Sequence, residues 1–257
     1  MPVSPGQFIW YDVMTSDVKA ATSFYQGVVG WDAKDSGMTD RPYTLLSAGA
    51  NMVGGLMPIP DDARAMGVGP CWTGYILVSD VDHTGARVKA AGGAVLRAPD
   101  DIPGVGRFAV VADPDGAVFI LFKGANGTPP ASVPPGTLGH VGWHELRAGN
   151  GERAFAFYAG LFGWTKAHAM DMGPMGVYQI FATGGDPVGG IFTKPPQVPV
   201  PHWLYYFNVD AIDAAGGRVA KHGGKVVQGP MEVPGGSWIV QCKDPQGAAF
   251  ALVAPKR

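Results

Sequence analysis

The chain has 257 residues, a formal net charge of −2, 46% hydrophobic and 16% charged residues, a balance that suits about two globular domains and excludes a disordered polyelectrolyte. No Lys/Arg run could neutralise a row of phosphates, which argues against nucleic acid and anionic membrane surfaces as partners. Two cysteines, Cys71 and Cys242, form no disulfide framework, and no apolar run reads as a bilayer span or secretion signal, so a cytoplasmic location is expected.

In chain order, residues 8–13 form a β-like run. Ser16 or Asp17 can cap a helix through Val28, in which Val18, Ala21, Tyr25 and Val28 recur at helical spacing and Gly30 supplies a stop. Residues 43–47 and 52–57 are strand-like. Residues 72–78 begin a second unit, in which Asp80 or Asp82 caps a helix that ends at Gly92-Gly93. Residues 108–112 and 117–122 form a hairpin around the turn Asp113-Pro114-Asp115-Gly116. The 39 Gly and 23 Pro fit many short strands joined by turns. Val53-Gly54-Gly55 sits in no phosphate-loop pattern and reads as a turn. The Pro-Gly loops 102–106 and 233–237 read as lids over the cavity mouth or as hairpin turns, with hairpin turns favoured.

The same pattern then repeats. Trp10 aligns with Trp143 and Trp31 with Trp164 at a constant offset (143 − 10 and 164 − 31 are both 133). Phe24-Tyr25 falls on Phe157-Tyr158, Tyr43 on Tyr178, Gly54-Gly55 on Gly189-Gly190 and Trp72 on Trp203. Arg87-Val88 meets Arg218-Val219, Gly92-Gly93 meets Gly223-Gly224, and Asp113-Pro114 meets Asp244-Pro245. So many coincidences, several of them Trp, indicate an internal duplication. The Pro/Gly-rich stretch 125–137 separates a first module, 1–124, from a second, 138–257.

The motifs "D…A…FY…GW", "DVD…AGG" and "DPDG" or "DPQG", in this order and twice, resemble the glyoxalase/bleomycin-resistance/dioxygenase group, the vicinal oxygen chelate superfamily. The resemblance implies an α+β fold of four βαβββ units forming two glyoxalase-like modules with curled mixed sheets. It also implies a concave face for a small ligand, usually over a divalent metal. The family's metal positions, on the first and last strands of each unit, fall on Trp10 and Trp143, near Thr73 and Leu204, and on Ile120 and Ala251. Indole offers no lone pair to a metal. Residues 43–60 contain no His, Asp, Glu or Cys, and 178–201 contain only Asp186. No metal or other cofactor is therefore expected.

Strand alternation puts Trp10 with Asp12, and Trp143 with Glu145, on one face. His144 then lies with Tyr11 on the other face, packed beneath the helix or exposed at an edge. His83 and His222 read as solvated helix residues and His202 as a loop residue. The candidate ligand faces are Trp10, Asp12, Thr73 and Tyr75 in the first module, and Trp143, Glu145, Leu204 and Tyr206 in the second. Tyr43, Tyr178 and Gln179 lie on neighbouring strands. Aromatic rings around one carboxylate suit a flat or cationic small organic molecule. The same residues also fit a core inherited by both copies. Three function classes remain: a metal-free small-molecule binder, which the missing ligands favour; a metal-dependent lyase, isomerase or dioxygenase with non-standard ligands; and an interaction protein that lost its pocket. The duplication favours a monomer and leaves a homodimer open.

Overall fold

The computed structural model describes residues 4–38, 42–126 and 133–257. Residues 127–132 of the stretch read as a linker lie outside the described residues. The first repeat runs β1 (Phe8–Thr15), α1 (Val18–Val29), β2 (Asp32–Asp35), β3 (Thr44–Ala48), β4 (Asn51–Pro58), α2 (Asp61–Ala65), β5 (Cys71–Leu77), α3 (Val81–Ala90), β6 (Ala94–Ile102), β7 (Gly106–Ala112) and β8 (Val118–Gly124). The second runs β9 (Val141–Ala148), α4 (Gly151–Phe162), β10 (Thr165–Asp171), β11 (Val177–Ala182), β12 (Pro187–Thr193), β13 (His202–Asn208), α5 (Ile212–Lys221), β14 (Lys225–Glu232), β15 (Trp238–Lys243) and β16 (Ala249–Ala254). Four βαβββ units result. Their strands form two mixed eight-stranded sheets, ordered β2-β3-β4-β1-β5-β8-β7-β6 and β10-β11-β12-β9-β13-β16-β15-β14. Neither sheet closes on itself.

Local chemistry explains the helix ends. The Asp17 side chain accepts from the Ala20 amide, Asp80 from His83 and Asn150 from Arg153, so each fills an orphan donor of a first turn. Gly30 and Gly163 end α1 and α4 at φ 85° and 72°, where a Cβ would be strained. α1 buries Ala21, Phe24, Tyr25 and Val28, one face at helical spacing. The edge strands β2 and β10 read DAKD and TKAHAMD and are mostly exposed, and charges there discourage pairing with another chain.

By packing, the chain divides into two compact bodies, each joining one βαβββ unit from each repeat. One holds the described residues within 1–9, 73–133 and 143–203; the other holds the described residues within 10–72, 134–142 and 204–257. Four of the repeated signature positions pin this arrangement. In one body the Trp72 indole donates to the Tyr25 hydroxyl (2.8 Å), which donates to Asp244 Oδ2 (3.0 Å). In the other, Trp203 donates to Tyr158 (3.1 Å) and Tyr158 to Asp113 Oδ2 (3.3 Å). The other oxygen of each aspartate accepts two amides of its own turn, from Asp115 and Ala117 or from Gln246 and Ala248. Burial pushes both carboxyls above the usual range, against the pull of these donors. Arg218 donates to the Val28 carbonyl at the end of α1, and Arg87 to the Gly160 and Leu161 carbonyls at the end of α4. Each arginine thus satisfies unpaired carbonyls at the negative end of a helix dipole.

Some details differ from the sequence reading. Gly54-Gly55 and Gly189-Gly190 are no turns; they lie inside β4 and β12. His202 opens β13 rather than sitting in a loop. Helix α2 has no counterpart in the periodicity, because none of its residues is buried. The two Pro-Gly loops are hairpin turns, closed by Val105 N to Ile102 O and by Val233 N to Ser237 O.

Candidate functional site

Two matching polar clusters stand on the first strands of the repeats. Alternation along β1 places Trp10 and Asp12 on one face. The Trp10 indole N–H donates to Asp12 Oδ1 (2.9 Å) and to the Tyr43 hydroxyl (2.8 Å). Tyr43 in turn donates to Asp12 Oδ1 at 2.6 Å, the short distance of a hydroxyl bonded to a carboxylate. On β9 the Trp143 indole donates to the Tyr178 hydroxyl (2.8 Å), and Tyr178 faces Glu145 Oε2 at 3.4 Å. Arg147, two residues further on the same face, donates from Nε to Glu145 Oε1 at 3.1 Å. Trp10, Tyr43, Trp143 and Tyr178 are half-buried, whereas Asp12 and Glu145 are buried beneath them.

The double glycines make these clusters fit. A Cβ on Gly55 would lie 1.9 Å from the Tyr43 hydroxyl oxygen, and one on Gly190 2.0 Å from Tyr178 Cε1. Each tyrosine ring therefore lies over a bare stretch of strand, and this brings its hydroxyl to the Trp and the carboxylate. The preceding glycines let parallel strands approach closely, since a Cβ on Gly54 would meet the Tyr11 carbonyl at 2.4 Å and one on Gly189 the His144 carbonyl at 2.2 Å. Burial is the main cause that holds both phenols well above their usual range, reinforced by Asp12 beside Tyr43 and by Glu145 beside Tyr178. Both tyrosines are neutral hydrogen-bond donors at ordinary pH.

The remaining candidates are dispersed. Tyr75 is buried on β5, opposite Ile120 of β8 and against the Phe122 ring. Tyr206 is buried on β13 and accepts from Gln241 Nε2 at 3.0 Å. Gln179 alternates away from Tyr178, and its amide donates to the His168 and Ile180 carbonyls. Thr73 and Leu204 are buried. His144 packs on the face opposite Trp143. Its ring stacks on Phe8 at 4.4 Å, its Nδ1 meets the Val188 carbonyl at 2.8 Å, and burial pushes its pKa down to about 4. His83 and His222 are exposed. Arg147 escaped the sequence reading, although its place two residues beyond Glu145 on a strand was the available signal. Gly55 and Gly190 escaped because a glycine's role there depends on a ring from the neighbouring strand.

A family-type metal ion does not fit this donor set. The positions that the resemblance assigns to it carry Trp10 and Trp143, lie near Thr73 and Leu204, and carry Ile120 and Ala251. Around Asp12 and Glu145 the neighbours are N–H and O–H donors, which satisfy a carboxylate in a metal's stead. Among the described residues no three His, Cys, Asp or Glu side chains converge to hold an ion. Among them, too, no helix is long and apolar enough to cross a membrane.

Comparison with known proteins places this geometry in a family. CFP32 of Mycobacterium bovis, provisionally named a glyoxylase, is 33% identical over 249 residues, covering 96% of this chain and 94% of that protein. The anthracycline biosynthesis protein DnrV of Streptomyces peucetius is 33% identical over 265 residues, covering 97% and 94%. The crystal structure of the Mn(II)-bound glyoxalase from Novosphingobium aromaticivorans shares the fold with a TM-score of 0.67 at 17% identity, covering 98% of this chain and 82% of that one. The profile described as Glyoxalase/Bleomycin resistance protein/Dioxygenase superfamily matches residues 7–121 and 137–252, one match per repeat. The chain belongs to the glyoxalase/bleomycin resistance protein/dioxygenase superfamily, as a tandem member with two modules.

Proposed function

We propose that the chain binds a small organic molecule at the Trp10–Asp12–Tyr43 cluster, at the Trp143–Glu145–Tyr178 cluster, or at both, without a metal ion held at the family's usual positions. One observation carries this reading: both repeats link an indole, a phenol and a carboxylate through hydrogen bonds, and in both a glycine vacates the space the phenol needs. A mere core would not need two buried carboxylates wired to half-buried rings, since burying a polar group is costly unless it is fully bonded. The half-buried rings supply area for a flat ligand, and in the first cluster the carboxylate fixes a donor or a positive charge. The test is a ligand screen by Trp fluorescence, followed by titration of Trp10→Phe, Asp12→Asn, Trp143→Phe and Glu145→Gln. Binding should weaken by on the order of tenfold or more in one of the two pairs, since an aromatic contact contributes roughly 1–2 kcal/mol when desolvated. A ligand whose affinity ignores all four variants would place the site elsewhere. Variants that lower only the melting temperature would show the clusters to be core.

A further inference from the structure

The two clusters share an indole, a phenol and a carboxylate and differ in the charge around them. Aligning the repeats through Trp10/Trp143, Gly55/Gly190 and Trp72/Trp203 sets Met14 against Arg147, Ile59 against Lys194 and Cys71 against His202. At three matched positions the first repeat is uncharged and the second is basic. The structure gathers the three basic side chains. Arg147 shares the strand face of Trp143 and Glu145 and binds Glu145. Lys194 follows β12 directly, its amide bonded to the carbonyl of Ala148, the residue after Arg147. His202 opens β13, and both Arg147 and Lys194 lie near enough to disfavour its protonation, behind the larger effect of its own burial. All three are half-buried, where charges are poorly screened.

Arg147 offsets the Glu145 carboxylate, so that an incoming anion meets no uncompensated negative charge there. The Lys194 ammonium spends one donor on the Val198 carbonyl at 2.6 Å, and an ammonium has three. His202 Nδ1 lies 3.0 Å from the Val200 carbonyl, so Nδ1 carries the proton. Over the matched positions the second cluster sums to a positive charge and the first to the single negative charge of Asp12.

We propose that the repeats have diverged in ligand charge: the second-repeat site, at Trp143, Tyr178, Arg147 and Lys194, takes a small organic carboxylate, and the first-repeat site does not. This rests on the binding role proposed above for these clusters. The probes are benzoate, its neutral isostere benzamide, and benzyltrimethylammonium, titrated into the full chain by Trp fluorescence and calorimetry. Benzoate should bind about tenfold or more tightly than benzamide, with a response abolished in Trp143→Phe and kept in Trp10→Phe. Lys194→Ile, which installs the first repeat's residue at a half-buried position, should weaken benzoate far more than benzamide and so remove the preference for benzoate. Arg147→Met, which leaves the Glu145 carboxylate without its offset, should weaken benzoate in the same way, and adding Glu145→Gln should restore part of the loss. Binding at Trp143 that ignores ligand charge, or benzoate affinity unchanged in Lys194→Ile, would overturn this inference alone. A response that follows Trp10 instead would also overturn it. If none of the three probes binds at either cluster, the binding role and this inference fall together.

Discussion

Gly190→Ala tests whether the glycine pair exists to seat the tyrosine. The new Cβ would lie 2.0 Å from Tyr178 Cε1. Carbon atoms in contact stand about 3.5–4.0 Å apart, so the ring must retreat by roughly 1.5 Å. The 2.8 Å bond from Trp143 to Tyr178 then opens to roughly 4 Å, beyond hydrogen-bond range. The Tyr178–Glu145 contact, already 3.4 Å, goes with it. Two hydrogen bonds at about 1 kcal/mol each and overpacking at about 1–3 kcal/mol oppose a gain of about 0.5–1 kcal/mol for Ala over Gly in a strand. The expected loss is about 2–4 kcal/mol, read by urea unfolding followed through Trp emission. Gly190 has no positive φ, so backbone strain does not enter. The decisive comparison is a double-mutant cycle with Tyr178→Ala, which removes the ring that clashes. In that background Gly190→Ala should cost nothing or stabilise. Equal destabilisation in both backgrounds would refute the account of the glycine.

His144 predicts an acid-sensitive native state. Its folded pKa of about 4 lies below the ordinary 6.5, so the stability it confers is complete above 6.5 and declines as pH falls toward 4. The loss approaches about 1.4 kcal/mol per pH unit and totals about 3 kcal/mol, and unfolding of His144→Phe should show a correspondingly shallower decline over that window. Asp113 and Asp244 act in the opposite sense: their raised folded pKa values confer stability at acid pH that is lost as pH rises through the carboxylate range. Asp244→Asn should flatten that part of the stability profile, measured by thermal melts across pH 3–6 as a rough span. Tyr158→Phe leaves the Trp203 N–H and Asp113 Oδ2 without their shared partner and should cost about 1–3 kcal/mol in urea unfolding. Dialysis against a chelator should leave ligand affinity unchanged, and a tenfold loss restored by Mn(II) or Zn(II) would overturn the metal-free reading.

Much of the fold was legible because duplication repeats every signal twice. The Asp17, Asp80 and Gly30 caps, the Asp-Pro turns and the apolar helix face each have a local cause, so the sequence displays them directly. The pairing of Tyr25 with Asp244 and of Tyr158 with Asp113 was not legible, since nothing local says that a helix of one repeat docks on a hairpin of the other. The site was read in part. Period-two alternation gave Trp10 with Asp12 and Trp143 with Glu145. The same rule applied once more gives Arg147. It also turns Gln179 away from Tyr178, a consequence that required the strand bounds of β11. Gly55 and Gly190 were opaque because a missing side chain shows its purpose only beside the ring it admits.

The most direct test of ligand binding at these clusters follows the indole N–H signals of the seven Trp residues by NMR while a ligand found in the fluorescence screen is added. Trp31, Trp72, Trp164 and Trp203 donate to buried partners, Gly139, Tyr25, Gly6 and Tyr158, so their signals should hold still. Trp10 and Trp143, half-buried and bonded to Tyr43 and Tyr178, should carry the shifts, with one or both saturating at the affinity seen by fluorescence. A saturating ligand that moves neither Trp10 nor Trp143, and shifts only the packed indoles or none, would contradict the proposed site.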